Sequence, residues 1–390
     1  MVFLMSNYIS RTAEDTLLKY LSAFPVVGLT GPRQSGKSTL LKELLKDEYK
    51  YVTFDSPTTV AEFRDDPERF MRINADKVIF DEAQKAPEIF SYVKIAVDND
   101  RDKYGKFILS GSSHFTLMKN ISESLAGRIG LLTLLPLQFG EIPQNLQEQS
   151  IFKGAYPELV KREYNFRNEW YQAYINTYLE KDLRSISDIG NIRDFFRLIK
   201  LLAARCSQRI NFSELASELG VAVNTVKHWL SVLEASYIIF FLPPYFDNLG
   251  KRIVKSPKLY FHDTGLVSFL AGIETETQFE NSLLTGPLFE NYIVSEVKKI
   301  IEHKKPFFNL YYYRTASGLE IDMIIDKNQS REWVEIKTGE TFQTKFISSI
   351  GKTKNTKENG FLVYRGVTKP GTDGIEILNY KDFLRGFSQH

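Results

Sequence analysis

Cysteine is nearly absent: Cys206 is the one thiol in 390 residues. No internal disulfide can form, and a reducing compartment, the cytoplasm, is the expected setting. An excess of either charge is missing too. Lys and Arg number 50 against 48 Asp and Glu, a net charge of +2, so any surface for a polyanion has to be local. Long apolar runs are lacking: Tyr237 to Leu242 is among the longest, far short of the roughly 18 residues that a membrane span needs. Met1 to Ser10 lacks the basic start and apolar stretch of a secretion signal. Internal repeats and low-complexity segments are absent, which removes solenoids. What remains is an ordinary globular composition, 43% apolar and 25% charged, enough for two or three packed domains.

The most informative stretch runs from Val26 to Leu41. A β-branched run leads into Gly31-Pro32-Arg33-Gln34-Ser35-Gly36-Lys37-Ser38, and Thr39, Leu40 and Leu41 open a helical pattern. This is the G-x-x-x-x-G-K-S phosphate loop. Its glycines let backbone N–H groups curl around a phosphate, and the new helix points its positive dipole end at the same charge. Lys37 is expected to reach the β/γ oxygens of ATP, and Ser38 to offer its hydroxyl to Mg²⁺. Some 45 residues on, Val78-Ile79-Phe80-Asp81-Glu82 is a buried strand ending in two carboxylates. In that position Asp81 is expected to hold the metal through water, and Glu82 to polarise the attacking water.

A third strand, Lys106 to Ser110, is expected between the first two. It ends in Gly111-Ser112-Ser113, where Ser112 or Ser113 is either a γ-phosphate sensor or part of a plain turn. Arg128, in the Gly-flanked stretch Ala126-Gly127-Arg128-Ile129-Gly130, reads as a finger for its own or a neighbouring subunit's γ-phosphate, or as a surface arginine. Alternating strands and helices make residues 1–146 a doubly wound α/β ATPase module. Glu141 to Ser150 reads as a linker.

Residues 147–255 read as a helical lid followed by a helix-turn-helix. Trp170, Tyr174, Thr177 and Tyr178 recur at helical spacing, an aromatic stripe of the kind that forms a core. Phe212, Leu215, Ala216 and Leu219 face one way on a short helix; Gly220 turns the chain, and Val226, Trp229, Leu230 and Leu233 do the same on the next. Asn224, Thr225, Lys227, His228 and Ser231 then face outward, where DNA-reading residues lie. Tyr237 to Tyr245 suits a wing, and Lys251, Arg252, Lys255 and Lys258 are candidates for holding phosphates. Such modules also serve as protein-contact surfaces, and both readings stand.

Residues 256–390 form a second α/β unit. Glu290 sits on an amphipathic helix, Asp322 on one strand, and Glu335 and Lys337 on the next. This D…ExK spacing puts two carboxylates and a lysine at strand ends, the set that binds Mg²⁺ and steadies a hydroxide in metal-dependent nucleases. The pattern is degenerate: a nuclease, a non-cleaving platform of the same fold and an accidental alternation all remain open. His262 and Asp263 read as packing residues.

Taken together, the phosphate loop, Ile79-Phe80-Asp81-Glu82-Ala83-Gln84, Leu109-Ser110-Gly111-Ser112-Ser113 and Leu125-Ala126-Gly127-Arg128 resemble a known family. So do Gly154-Ala155-Tyr156-Pro157, Tyr178-Leu179-Glu180-Lys181-Asp182, Ser256-Pro257-Lys258, Asp263-Thr264-Gly265-Leu266 and Val334-Glu335-Ile336-Lys337. These stretches, spread over nearly the whole chain, are similar to those of prokaryotic AAA-type ATPases that carry a C-terminal winged helix and a PD-(D/E)xK endonuclease-like domain. The resemblance implies ATP at Lys37, Ser38, Asp81 and Glu82, and Arg128 as finger or sensor. It further implies kinship with ATPases suspected of acting on branched, Holliday-junction-like DNA. Three functions follow as expectations. They are an ATPase that remodels or moves along duplex or branched DNA, a Mg²⁺-dependent nuclease with an ATPase switch, and a nucleotide-gated protein-interaction switch. A homo-oligomer, possibly a ring, is expected if Arg128 acts in trans, and no membrane partner is expected.

Overall fold

The computed structural model describes residues 8–111, 120–121, 123–179, 191–246, 256–354 and 358–389. Ser112, Ser113, Glu180, Lys181, Asp182, Lys251, Arg252 and Lys255 lie outside them.

After a helix over Glu14–Leu21, five strands build the first sheet: β1 (Val26–Thr30), β2 (Lys50–Thr53), β3 (Val78–Asp81), β4 (Phe107–Ser110) and β5 (Ile129–Thr133). They form a parallel sheet in the order β2-β3-β4-β1-β5. The continuous apolar runs of β1, β3 and β4 are buried throughout, as central parallel strands covered on both faces have to be. β4 lies between β1 and β3, the expected placement. At the carboxyl end of β1 the chain turns through the phosphate loop into α1 (Lys37–Leu45). Gly31, at φ +135°, allows this turn: a Cβ there would stand 2.2 Å from the Leu134 carbonyl oxygen.

The expected linker at Glu141–Ser150 is instead folded into short helices that bury Ile142, Leu146, Gln147 and Ser150. Short helical turns at Phe139–Glu141 and Gln144–Leu146 run into a helix over Gln147–Lys153, and Leu146, Ile151 and Phe152 are core residues. Polar composition misled because Glu141 is inside, in an ion pair with Arg11 whose side chains are 3% and 4% exposed. A one-turn helix, α2 (Pro157–Lys161), follows.

Asn211 caps α3 (Phe212–Leu219) by accepting from the Ser213 and Glu214 amides. Gly220, at φ +70°, turns the chain into α4 (Val223–Ala235). Their apolar faces pack as expected, with Leu215, Leu219, Val226, Trp229, Leu230 and Leu233 all buried. Next comes β6 (Ile239–Leu242), which pairs antiparallel with β7 (Lys258–Phe261). A boundary at residue 255 therefore cuts a two-stranded sheet, whose partners are joined by register and not by sequence proximity.

α5 (Thr285–Lys304) then packs on a six-stranded mixed sheet. Its strands are β8 (Asn309–Arg314), β9 (Glu320–Asp326), β10 (Arg331–Lys337), β11 (Asn359–Tyr364), β12 (Lys369–Thr372) and β13 (Ile375–Asn379), in the order β12-β13-β11-β10-β9-β8. One apolar core runs from Leu137 to Phe387, so the helical region and this sheet share an interior. Among the described residues no helix is long and apolar enough to cross a membrane.

Candidate functional site

The phosphate loop forms one wall of a cleft of about 300 Å³, lined by Arg33, Gln34, Gly36, Lys37, Ser38, Thr39 and Glu82. Gly36, at φ +94°, caps α1 in a conformation that aims backbone amides at the cleft. Lys37, 6% exposed, donates to the carbonyls of Gly31 and Pro32 at 2.9 and 2.8 Å. Buried Ser35 Oγ has no hydrogen-bond partner among the described residues. Lys37, Ser38 and Thr39 line the cleft with donors at the start of a helix, as a bound phosphate requires. The donor set fits a nucleoside triphosphate.

Asp81 ends β3 beneath the loop. It accepts from Ser38 Oγ at 2.9 Å and also from the hydroxyls of Ser110 and Tyr51. The two expected magnesium residues, Ser38 and Asp81, are thus already in contact. Glu82 follows at φ +53°, its carboxylate bonded by Gln84 Nε2 at 2.5 Å. Burial, and then the Asp81 charge, raise its pKa above the usual carboxylate value, while Lys37 opposes the shift. A carboxylate so raised is suited to take a proton from water.

Other parts of this site were not legible in the sequence. Arg11 donates to Ser35 O at 2.8 Å and Leu135 O at 2.7 Å and pairs with Glu141 at 2.9 Å, bracing the loop from behind. Burial is the largest single effect on the Glu141 carboxyl and raises it, but Arg11 and the amides of Gln138 and Thr12 act the other way, and the balance lies below its usual value. Pro157, Glu158 and Lys161 on α2 form the opposite wall of the cleft. Gly154-Ala155-Tyr156-Pro157, quoted for the resemblance alone, was the available signal.

Arg128 does not reach this cleft, which overturns the own-subunit finger. It precedes β5 at the amino ends of the strands, where its guanidinium forks onto Asp98 at 2.8 and 3.1 Å. The phosphate loop leaves the carboxyl end of β1, one strand length or roughly 16 Å away.

On α4, Asn224, Lys227, His228 and Ser231 are exposed and Thr225 is half-buried. Ser231 also borders a cleft shared with Thr133, Leu135, Tyr237 and Lys298, so the end of the outward face looks toward the first sheet. Tyr237, just after α4, shares a 2.8 Å hydrogen bond with Thr30, the residue before Gly31. His262 is buried. Asp263 caps the next helix at Leu266 N, 2.9 Å, and accepts from Ala155 N at 2.7 Å, both packing roles.

The C-terminal residues come together. Lys337 Nζ lies 2.7 Å from Glu335 and 3.5 Å from Asp322, and Asp322 also accepts from Ile336 N at 2.8 Å. Glu290 joins through Lys258, whose ammonium is 3.0 Å from Glu290, 2.7 Å from Glu320 and 3.9 Å from Asp322. Lys258 is 3% exposed, so it is an interior ion-pair partner and not the surface phosphate contact expected of it. Burial raises Glu290 to about 7, with Lys258 opposing, and raises Glu335 to about 8, with Asp322 adding to it. Among the described residues no three Asp, Glu, His or Cys side chains converge as a metal site. As placed, the lysines stand between the carboxylates, and the set does not fit a divalent cation.

Strand order, loop and carboxylate pair define a P-loop ATPase domain of the AAA kind. The family described as "AAA domain" matches residues 23–143; domains of unknown function, DUF8612 and DUF4143, match 144–277 and 285–383. Uncharacterized protein Rv2008c of Mycobacterium tuberculosis is 31% identical over 333 residues, 85% of this chain and 74% of that protein. The chain belongs to the family of that protein. Uncharacterized protein MJ1544 of Methanocaldococcus jannaschii is 21% identical over 342 residues, 78% of this chain and 73% of that protein. Among solved structures, the Walker-type ATPase PABY2304 of Pyrococcus abyssi covers 68% of this chain and 97% of its own at 17% identity and a TM-score of 0.49. That score is too low to bear on function.

Proposed function

We propose that this chain hydrolyses ATP with magnesium and uses the turnover to remodel or move duplex or branched DNA. The observation that carries the first half is the contact of Ser38 with Asp81 beside a pKa-raised Glu82, under a loop whose Lys37 and Thr39 line the same cleft as Glu82. With nucleotide bound, the loop amides and Lys37 would hold the phosphates, and Ser38 and Asp81 would hold the metal, which would supply charge neutralisation. Glu82 orients a water and accepts its proton.

Support for the second half is the link from α4 to the loop. The helix with exposed Asn224, Lys227 and His228 ends two residues before Tyr237, and Tyr237 bonds Thr30. This contact gives a change at the phosphates a route to the proposed DNA face. α3, α4 and the β6–β7 sheet serve in this reading as a winged helix. α5 on its mixed sheet, with Glu290, Asp322, Glu335 and Lys337 gathered, supports a restriction-endonuclease-like fold for the last domain. The buried lone Cys206 suits a cytoplasmic protein.

The test is ATP turnover with and without linear, forked and four-way DNA. Turnover is expected to rise on branched DNA and to fall roughly 10²-fold or more in Glu82→Gln, with a comparable loss in Lys37→Ala. Turnover indifferent to every DNA would leave the protein-interaction switch in its place.

A further inference from the structure

The C-terminal cluster holds four carboxylates, Glu290, Glu320, Asp322 and Glu335, and three cations, Lys258, Lys337 and Arg314, each paired within it. Lys258 is the least exposed of the three cations. It enters from β7, outside the six-stranded sheet, and its ammonium is the point where Glu290 from α5 and Glu320 and Asp322 from β9 meet. Tyr260, two residues on and on the same strand face, donates to Glu290 at 2.6 Å and fixes that carboxylate toward the lysine. Lys337 fills the gap between Asp322 and Glu335 in the same way.

We propose that Lys258 is the resident cation of this cluster, standing where a divalent metal would have to sit, so that the domain grips nucleic acid without cutting it. The last clause rests on the DNA reading above; the first does not. The argument is one of space and charge. A metal bridging Glu290 and Asp322 would lie within an ion-pair distance of the ammonium, and because Lys258 already neutralises those carboxylates, its charge reduces what a second cation gains there. Glu290, Glu320 and Asp322 each turn an oxygen to Lys258, so a metal seated between them has to displace the ammonium, which is 3% exposed and lies 5.7 Å from the Tyr312 ring centre. Glu335 Oε2, buried without a hydrogen-bond partner among the described residues, is the acceptor at which any metal uptake would register.

Calorimetry on the full chain carrying Asp81→Asn, without nucleotide, isolates this cluster from the ATP pocket. Titrating MnCl₂ is expected to give no saturable heat. Lys258→Met in the same background is expected to bind one Mn²⁺ per chain, to gain thermal stability when Mn²⁺ is added, and to lose both effects with Asp322→Asn. Beside this, the unaltered chain with Mg²⁺ or Mn²⁺ is expected to shift linear or four-way DNA on a gel and leave it uncut. Saturable Mn²⁺ uptake that Glu335→Gln removes, or metal-dependent cleavage that Glu335→Gln abolishes, would overturn the proposal. So would a folded Lys258→Met chain that takes up no Mn²⁺. If Lys258→Met does not fold, the uptake and cleavage results with Lys258 in place decide alone. Absence of any DNA shift would remove the DNA reading and leave the metal result to judge Lys258.

Discussion

Asp81 accepts from Ser38, Ser110 and Tyr51, so side chains from α1, β4 and β2 converge on one carboxylate. Ser38 and Asp81 were readable because a local rule fixes each: a loop spacing, and an acidic strand end. Ser110 and Tyr51 follow no such rule and arrive only because β4 and β2 flank β3. Arg11 is a sharper case. Nothing around it in the chain marks a site, and its partners Ser35, Leu135 and Glu141 are distant in sequence. Replacing it by Ala leaves Glu141 buried and unpaired, a loss of about 3–5 kcal/mol. Urea unfolding of Arg11→Ala is expected to show that drop. In the fraction that stays folded, ATP affinity is expected to weaken as well, because Ser35 loses its brace. An unchanged midpoint would mean the pair is not holding the loop.

Among the elements, α5 does two jobs at its two ends. Spanning 20 residues, it is about 30 Å long. Glu290 near its start joins the carboxylate cluster, while Glu296, Lys299 and His303 near its end plug into the ATPase module. Glu296 accepts from Phe139 N at 2.6 Å, Lys299 donates to Leu137 O at 3.0 Å, and His303 Nε2 accepts from Leu135 N at 3.1 Å. Leu135 is also an Arg11 partner, so this helix ends one residue from the bracing of the phosphate loop. The amphipathic pattern announced a helix and Glu290 on it. It could not announce that the polar residues at the far end are buried, since they are satisfied by carbonyls and amides from another module.

Burial pulls His303 down from 6.5 to about 3. Folded chains keep it neutral while unfolded chains protonate it, so its contribution is fully present above about pH 6.5 and is lost progressively as pH falls toward 3. Melting temperature is expected to fall between pH 7 and pH 5, and to fall less steeply in His303→Gln. Parallel slopes for the two proteins would show that this histidine is not buried neutral.

At the scale of the whole molecule, the helical region and the C-terminal sheet share one core, and the ATPase sheet is bound to both through Arg11, Glu141 and α5. Arg128 is placed outside this arrangement, at the edge of the first sheet away from its own cleft. A catalytic role for it therefore requires a second copy of the chain. Turnover per subunit is expected to fall on dilution, and Arg128→Ala is expected to remove that concentration dependence along with most of the activity. A silent Arg128→Ala, with turnover constant on dilution, would leave it as a plain partner of Asp98.

By itself the sequence determined the chemistry that depends on neighbours along the chain. It set the phosphate loop, the acidic end of β3, the outward side chains of α4, and the spacing of Asp322, Glu335 and Lys337, because turn geometry and strand or helix periodicity act over a few residues. Tertiary structure decided what depends on approach from afar. It put Lys258 between three carboxylates instead of on a surface, anchored the helical Glu141–Ser150 stretch in the core through Ile142 and Leu146, and carried Arg128 away from its own pocket. Burial and ion pairing are properties of what a side chain meets when strands are ordered into a sheet, and that order is not written in any one stretch.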